Sequence, residues 1–181
     1  KHNGVGKYRY ILPFGVDTRF FRKHDCEKSI DVLAAYTTRT VVPDIYPYRV
    51  KIHKMLKRMP IVSHRKYVQW KRLPGITNMS KIVVNSNAKY NFINPRVTET
   101  MACGTFLLTS YCDDFAKFGY RDGSHLVTFR NMKDFKDKLK YFLKHDRERE
   151  EIAENGMKFV RKNYSNTRRV EVMLDKIRKH L

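Results

Sequence analysis

Short apolar runs rich in β-branched residues alternate along the chain with segments whose apolar positions fall three and four residues apart. The runs Tyr8–Leu12, Ser29–Tyr36, Pro60–His64, Lys81–Asn85, Thr105–Thr109 and Leu126–Phe129 read as strands. Between Tyr46 and Met59, the residues Ile52, Met55, Leu56 and Met59 stand at i, i+3, i+4 and i+7, which predicts a helix that Pro60 ends. Three more helices close the chain. Their apolar stripes are Met132, Phe135, Leu139 and Phe142, then Ile152, Gly156, Phe159 and Val160 behind the cap Asp146, then Val170, Met173, Leu174 and Ile177. All three stripes are expected in the core. The mixed charges of Arg147–Glu151 read as a solvated helix face.

The best-punctuated stretch is Asn94–Gly104. Asn94 is a good N-cap, Pro95 fits the first helical position where its missing N–H costs nothing, and Gly104 fits the left-handed residue just past a helix end. With Lys81–Asn85 before it and Thr105–Thr109 after it, both of the length of buried parallel strands, the unit reads βαβ. The class is therefore α/β, a single parallel sheet flanked by helices. In such a unit the loop before the helix lies at the carboxyl edge of the sheet, where free N–H groups and the positive end of the helix dipole favour phosphate. Arg96 adds a cation in the first turn, and Glu99 one turn on adds acceptors for hydroxyls.

The remaining segments are connectors. Gly15-Val16-Asp17 makes a turn into Thr18–Phe21, and Thr37–Thr40 is polar enough for a site loop. Arg65–Arg72 interleaves cations with aromatics. That pattern suits base stacking between phosphate contacts, and it equally suits an edge strand or loop, which is the preferred reading. Leu73-Pro74-Gly75 is expected to break the chain before a helical turn near Thr77–Ser80.

Composition adds one unusual fact. The 181 residues hold 38 Lys and Arg against 18 Asp and Glu, a net charge of +20. Such a field draws phosphate-rich partners, whether nucleotide, nucleic acid or an anionic membrane surface, although a basic bias can also be a habit of the proteome. No apolar run has the length of a membrane span and the amino terminus lacks a signal-peptide layout, so a soluble or peripheral chain is expected. Cys26, Cys103 and Cys112 form an odd set without a CxxC pair, which points to a reducing compartment, the cytoplasm.

Several chemistries are not expected. The seven histidines never fall at HxxxH or HExxH spacing, so no zinc site is predicted, and Asp113-Asp114 reads as a loop rather than a metal pair. The chain has no GxSxG, Walker loop or GxGxxG. Cys103 reads as a small buried residue at a helix end rather than a nucleophile.

The segment from Arg96 to Thr109 closely resembles the nucleotide-binding segment of GT-B glycosyltransferases of the group-one type related to spore-maturation CgeB-like proteins. The shared pattern is arginine, apolar, any, glutamate, any, any, alanine, cysteine, glycine. Pro13–Asp17 with Phe20-Phe21, Tyr46-Pro47-Tyr48-Arg49, and the tail from Asp146 to Arg169 fall in the family's order and spacing. The resemblance implies that residues 1–181 form the Rossmann-like, donor-binding carboxyl-terminal half of such an enzyme, with the amino-terminal acceptor domain absent from this chain. It implies a UDP- or GDP-linked sugar as donor substrate, with no cofactor and no metal. Glu99 would take the ribose hydroxyls, and Tyr48 and Arg49 would lie near the sugar nucleotide. Arg96 and Arg49, with the amides opening the helix behind Asn94, would neutralise the diphosphate as the leaving group gains charge. Many retaining members carry a glutamate eight positions before Glu99, where this chain has Asn91. An amide can hydrogen-bond a sugar hydroxyl but cannot act as a carboxylate. Two other readings of the same fold stay open: a basic nucleic-acid-binding module, and a glycosyltransferase acting on modified DNA bases. A third places the basic face on an anionic membrane beside a lipid-linked acceptor.

Overall fold

In a computed structural model the described residues are 11–36, 45–88 and 92–179. Five strands form one sheet: β1 (Ile30–Leu33), β2 (Ser63–His64), β3 (Ser80–Asn85), β4 (Phe106–Ser110) and β5 (Val127–Phe129). All neighbours pair in parallel in the order β2-β1-β3-β4-β5. The expected α/β class with a single parallel sheet is what the chain adopts. The predicted central unit is there too, with β3 and β4 side by side in a register that runs from Ile82 opposite Phe106 to Asn85 opposite Thr109.

Helices cover both faces because successive strand side chains point to opposite sides. Val32, Ile82, Val84, Phe106 and Leu108 pack on one side with Ile52 and Leu56 of α1 (Arg49–Lys57) and with Phe135 and Leu139 of α5 (Met132–Phe142). Leu33, Val83 and Leu107, one step out of phase, pack on the other side with Val97 and Met101 of α3 (Pro95–Ala102) and Val160 of α6 (Asp146–Tyr164). Two glycines permit this packing. Gly104, at φ 65°, turns the chain from α3 into β4. Gly156 lies where a Cβ would stand 2.2 Å from the His125 carbonyl oxygen, so α6 approaches the loop before β5 only because that position has no side chain.

The chain departs from the sequence expectations in a few places. Leu73-Pro74-Gly75 opens α2 (Leu73–Asn78) instead of breaking the chain, because a proline in the first turn removes an N–H that has no helical partner anyway. A 3₁₀ turn at Trp70–Arg72 precedes it, so of the two forms expected for the basic aromatic stretch, edge strand or loop, the chain takes the loop, ending in a turn. The strand expected over Pro60–His64 is only two residues long, and the Val62 N–H goes to the Asp31 carboxylate at 2.9 Å. Asp114–Lys117 forms the short helix α4. Of the expected strand at Tyr8–Leu12, residues 8–10 lie outside the described residues, and Ile11 and Leu12 are unpaired and exposed; the expected site loop Thr37–Thr40 also lies outside them.

The main correction concerns α7 (Asn166–Arg178). Its stripe was expected in the core, yet Val170, Met173, Leu174 and Ile177 are 49%, 39%, 41% and 48% exposed. Periodicity identifies an apolar face without saying what covers it, and no residue of α7 is buried. Among the described residues no helix is long and apolar enough to cross a membrane.

Candidate functional site

The strand order reverses between β1 and β3: β2 is added on one side of β1, while β4 and β5 follow β3 on the other. Crevices beyond the carboxyl ends of the strands at such a switch point are the usual binding places of open α/β sheets. A cleft of about 250 Å³ lies there. Ala35 and Tyr36 follow β1 into it, Asn85 ends β3 on it, Tyr46 and Arg49 reach it from the start of α1, and Asn94, Arg96 and Glu99 reach it from α3.

The floor is a set of reciprocated amides. Asn94 accepts from the Arg96 N–H at 3.0 Å with its oxygen, which caps α3, and donates with its nitrogen to Asn85 Oδ1 at 3.2 Å and Asn87 Oδ1 at 3.0 Å. Asn85 in turn donates to Asn87 and to Thr109 Oγ1, each at 3.0 Å. Asn87 is tied to Ser110 twice, through its N–H to Oγ and its side-chain nitrogen to the carbonyl. Asn85 and Asn87 are buried, so these bonds form out of water, where an unmet amide is costly. They fix the opening of α3 to the ends of both β3 and β4.

This cap changes one expectation. Pro95 has no N–H, Asn94 Oδ1 takes that of Arg96, and the Asn94 carbonyl takes that of Val97 at 3.1 Å. The first amides of the helix are thus occupied, and an anion in the cleft meets side-chain cations instead.

Those cations are unusually placed. Arg49 lies flat against Tyr46, its guanidinium carbon 3.5 Å from the ring centroid, and 5.1 Å from the Tyr36 ring. Arg96 pairs loosely with Glu99 at 3.7 Å. Arg49 Nε and Arg96 Nη1 are both buried and lack a hydrogen-bond partner. A buried N–H without a partner costs on the order of 1–3 kcal/mol. Burial, and for Arg96 also the proximity of Arg49, pulls both guanidiniums down from their ordinary value. Burial pushes the Glu99 carboxyl up, against Arg96 and the neighbouring Trp70, which both pull it down. Burial likewise holds the Tyr36 phenol far above its ordinary range, so its hydroxyl stays protonated, and that oxygen too lacks a partner. Two guanidiniums and one carboxylate line the cleft, and Arg49 Nε, Arg96 Nη1 and the Tyr36 hydroxyl make no hydrogen bond there, Arg96 Nη1 having only its ion pair with Glu99.

Arg49, Asn94, Arg96 and Glu99 therefore share one cleft. Tyr48 does not line it: as the residue before α1 it turns towards β5, packs edge-on against Phe129 and donates its hydroxyl to the Arg130 carbonyl at 2.7 Å. Asn91 lies outside the described residues. The sequence reading did not single out Tyr36, Tyr46, Asn85 or Trp70. The Asn85-Ser86-Asn87 run, opening on the last residue of a buried strand, was the available signal for one of them. Trp70 comes from the basic aromatic stretch and stacks on Phe20, with ring centroids 4.1 Å apart. Burial raises the Cys103 thiol to about 12, in keeping with a small packing residue. No group of three or more His, Cys, Asp or Glu is placed to hold a metal ion among the described residues.

The family model described as Glycosyl transferase-like matches residues 19–175. No curated protein matches by sequence. Solved structures share the fold at low identity. Anabaena Alr3699/HepE in complex with UDP and glucose is 10% identical at TM-score 0.69, the alignment covering 91% of this chain and 55% of that one. The C-terminal domain of a glycosyl transferase group 1 family protein, LpcC, from Francisella tularensis is 16% identical at TM-score 0.60, covering 84% of this chain and all of that one. Sucrose-phosphate synthase from Thermosynechococcus elongatus is 10% identical at TM-score 0.67, covering 93% and 51%. The chain thus spans about half the length of HepE and of the synthase.

Proposed function

The chain belongs to the glycosyl transferase-like family, and from that premise we propose that the cleft between β1 and β3 binds the nucleoside diphosphate of a sugar donor. The chain is then the donor-binding half of a glycosyltransferase, moving a sugar from a UDP- or GDP-linked donor to an acceptor held mainly by a second, amino-terminal half. One observation carries this reading: Arg49 and Arg96 line one cleft with a single carboxylate, Glu99, and Arg49 Nε and Arg96 Nη1 are buried there without a hydrogen bond, Arg96 Nη1 having only its 3.7 Å ion pair with Glu99. A diphosphate supplies the missing negative charge and the missing acceptors. As the bond to the sugar breaks, charge grows on that diphosphate, and cations fixed in advance stabilise it without reorganising.

Glu99, one turn beyond Arg96 on the same face of α3, takes the ribose hydroxyls. Its ion pair with Arg96 holds the carboxylate and leaves oxygen lone pairs to spare. The complexes of HepE with UDP and with UDP-glucose favour uridine as the base. The CgeB-like subtype rests on the pattern from Arg96 to Gly104 alone.

Calorimetry with UDP, GDP and their hexose conjugates tests the assignment. Binding of at least one is expected, weakened tenfold or more by Arg96→Ala, in line with the roughly 1.5–3 kcal/mol of a hydrogen bond to a charged group. Absence of binding at millimolar concentration, or unchanged affinity in Arg96→Ala and Glu99→Ala, would sink it.

A further inference from the structure

A second cleft, of about 430 Å³, opens on the flank of the sheet between the last turns of α1 and the end of β2. His53, Lys54 and Lys57 line it from the helix, His64 from the end of β2, and Arg65 and Lys66 from the residues just beyond that strand. Among the described residues none of the four Lys and Arg makes an ion pair. The sequence explains why: from Ile45 to Thr98 there are twelve Lys and Arg and no Asp or Glu. Three nitrogens in the walls, His53 Nε2, His64 Nε2 and Arg65 Nε, are buried without a hydrogen-bond partner.

A structural role accounts for only part of this. Lys54 and Lys57 sit in the last turn of α1, where cations favour the helix dipole. Arg65 and Lys66 lie beyond a strand end and have no such reason to be there. Like charges gathered around a hole repel by about 1 kcal/mol per pair at 4 Å in water, and by more as solvent is excluded. Burial first, then the neighbouring cations, holds both imidazoles below their ordinary value. The cations converge on one concavity from two elements instead of running in a row along a face, which suits a compact anion better than an extended polyanion.

We propose that this cleft is a second anion site, separate from the donor cleft, which holds a phosphate or phosphate-ester group between Lys54 and Lys57 on one side and Arg65 and Lys66 on the other. The two clefts share a wall, since His53 packs on Tyr36 with ring centroids 5.0 Å apart and Tyr36 lines the donor cleft. The phosphate is either free or carried by the second substrate.

The test uses the full chain with UDP at saturation, titrated with pyrophosphate, inorganic phosphate and glycerol 3-phosphate while the His64 ring resonances are followed by NMR. Pyrophosphate is expected to shift them at submillimolar concentration. The double variant Lys54→Gln/Arg65→Gln is expected to weaken that binding tenfold or more and to leave UDP affinity within twofold. Tighter binding of glycerol 3-phosphate than of inorganic phosphate assigns the site to an esterified substrate, and the reverse order to free phosphate. The same titration in Arg96→Ala keeps this test independent of the donor assignment, and there pyrophosphate should move His64 as before. Sodium chloride at matched ionic strength producing the same shifts, unchanged pyrophosphate affinity in the double variant, or a DNA duplex or anionic vesicles moving His64 at lower concentration than pyrophosphate would each overturn the proposal.

Discussion

Asn94 holds the amino end of α3 to the carboxyl end of β3 through its side-chain amide, the nitrogen donating to Asn85 Oδ1 at 3.2 Å and to Asn87 Oδ1 at 3.0 Å while the oxygen caps the helix. The two halves of that side chain can be separated by substitution. Asn94→Ala removes both and should cost about 1–2 kcal/mol in urea denaturation, the usual loss of a cap. Asn94→Asp keeps the capping oxygen but turns an acceptor towards the oxygens of Asn85 and Asn87. If the amide set positions the cleft, Asp costs at least as much stability as Ala. If Asp is instead tolerated like the parent, the floor is held some other way.

Glu99 gives a pH signature. Burial raises its carboxyl above the ordinary 4.5 in the folded chain. The folded state therefore favours the protonated form. That contribution is fully present below the unfolded value and is lost as pH rises through the folded one. Glu99→Gln cannot ionise, so its stability curve should fall less than the parent's over the range that opens at the ordinary 4.5 and extends upward. Urea midpoints across that range measure the difference, and parallel curves would show that Glu99 is not perturbed.

Two glycines in helices should respond oppositely to the same substitution. Gly156→Ala drives a Cβ to 2.2 Å from the His125 carbonyl oxygen, so α6 or the loop before β5 must move. A loss of about 1–3 kcal/mol or more is expected from such overpacking. Gly75→Ala in α2 meets nothing within 4 Å and should gain up to about 1 kcal/mol from the stiffer backbone. Melting temperatures of the two variants, moving in opposite directions, are the check.

The same contrast holds between α5 and α7. Leu139 is fully buried, and Leu139→Ala should cost about 2–5 kcal/mol. Leu174, 41% exposed at the same kind of helical position, should tolerate Leu174→Ser within about 0.5 kcal/mol when the chain is studied alone. A large loss at Leu174 would mean that its face is covered in solution.

How legible a segment is in the sequence depends on what it buries. β3 and β4 are covered on both faces, so they read as unbroken apolar runs, and α3 is bounded by three residues that each have one strong backbone preference, Asn94, Pro95 and Gly104. The cleft was legible where a side chain's position depends on local geometry, as for Arg96 and Glu99 one turn apart on one helix. It was not legible where geometry is set at a distance. Tyr46 and Tyr48 are equivalent in sequence, and only the start of α1 at Arg49 decides which one meets the guanidinium. Trp70 reaches Glu99 from another part of the chain, through a turn that no period announces. The exposure of α7 was hidden for a related reason, because an apolar stripe looks the same whether or not it is covered.

The surplus of guanidinium over carboxylate in the cleft between β1 and β3 would bear on the release of product. A nucleoside diphosphate freed from its sugar carries one more negative charge than the donor from which it came. On the proposed function, a cleft short of negative charge grips the spent nucleotide more firmly than the fresh donor, so accumulated free nucleotide competes with incoming substrate.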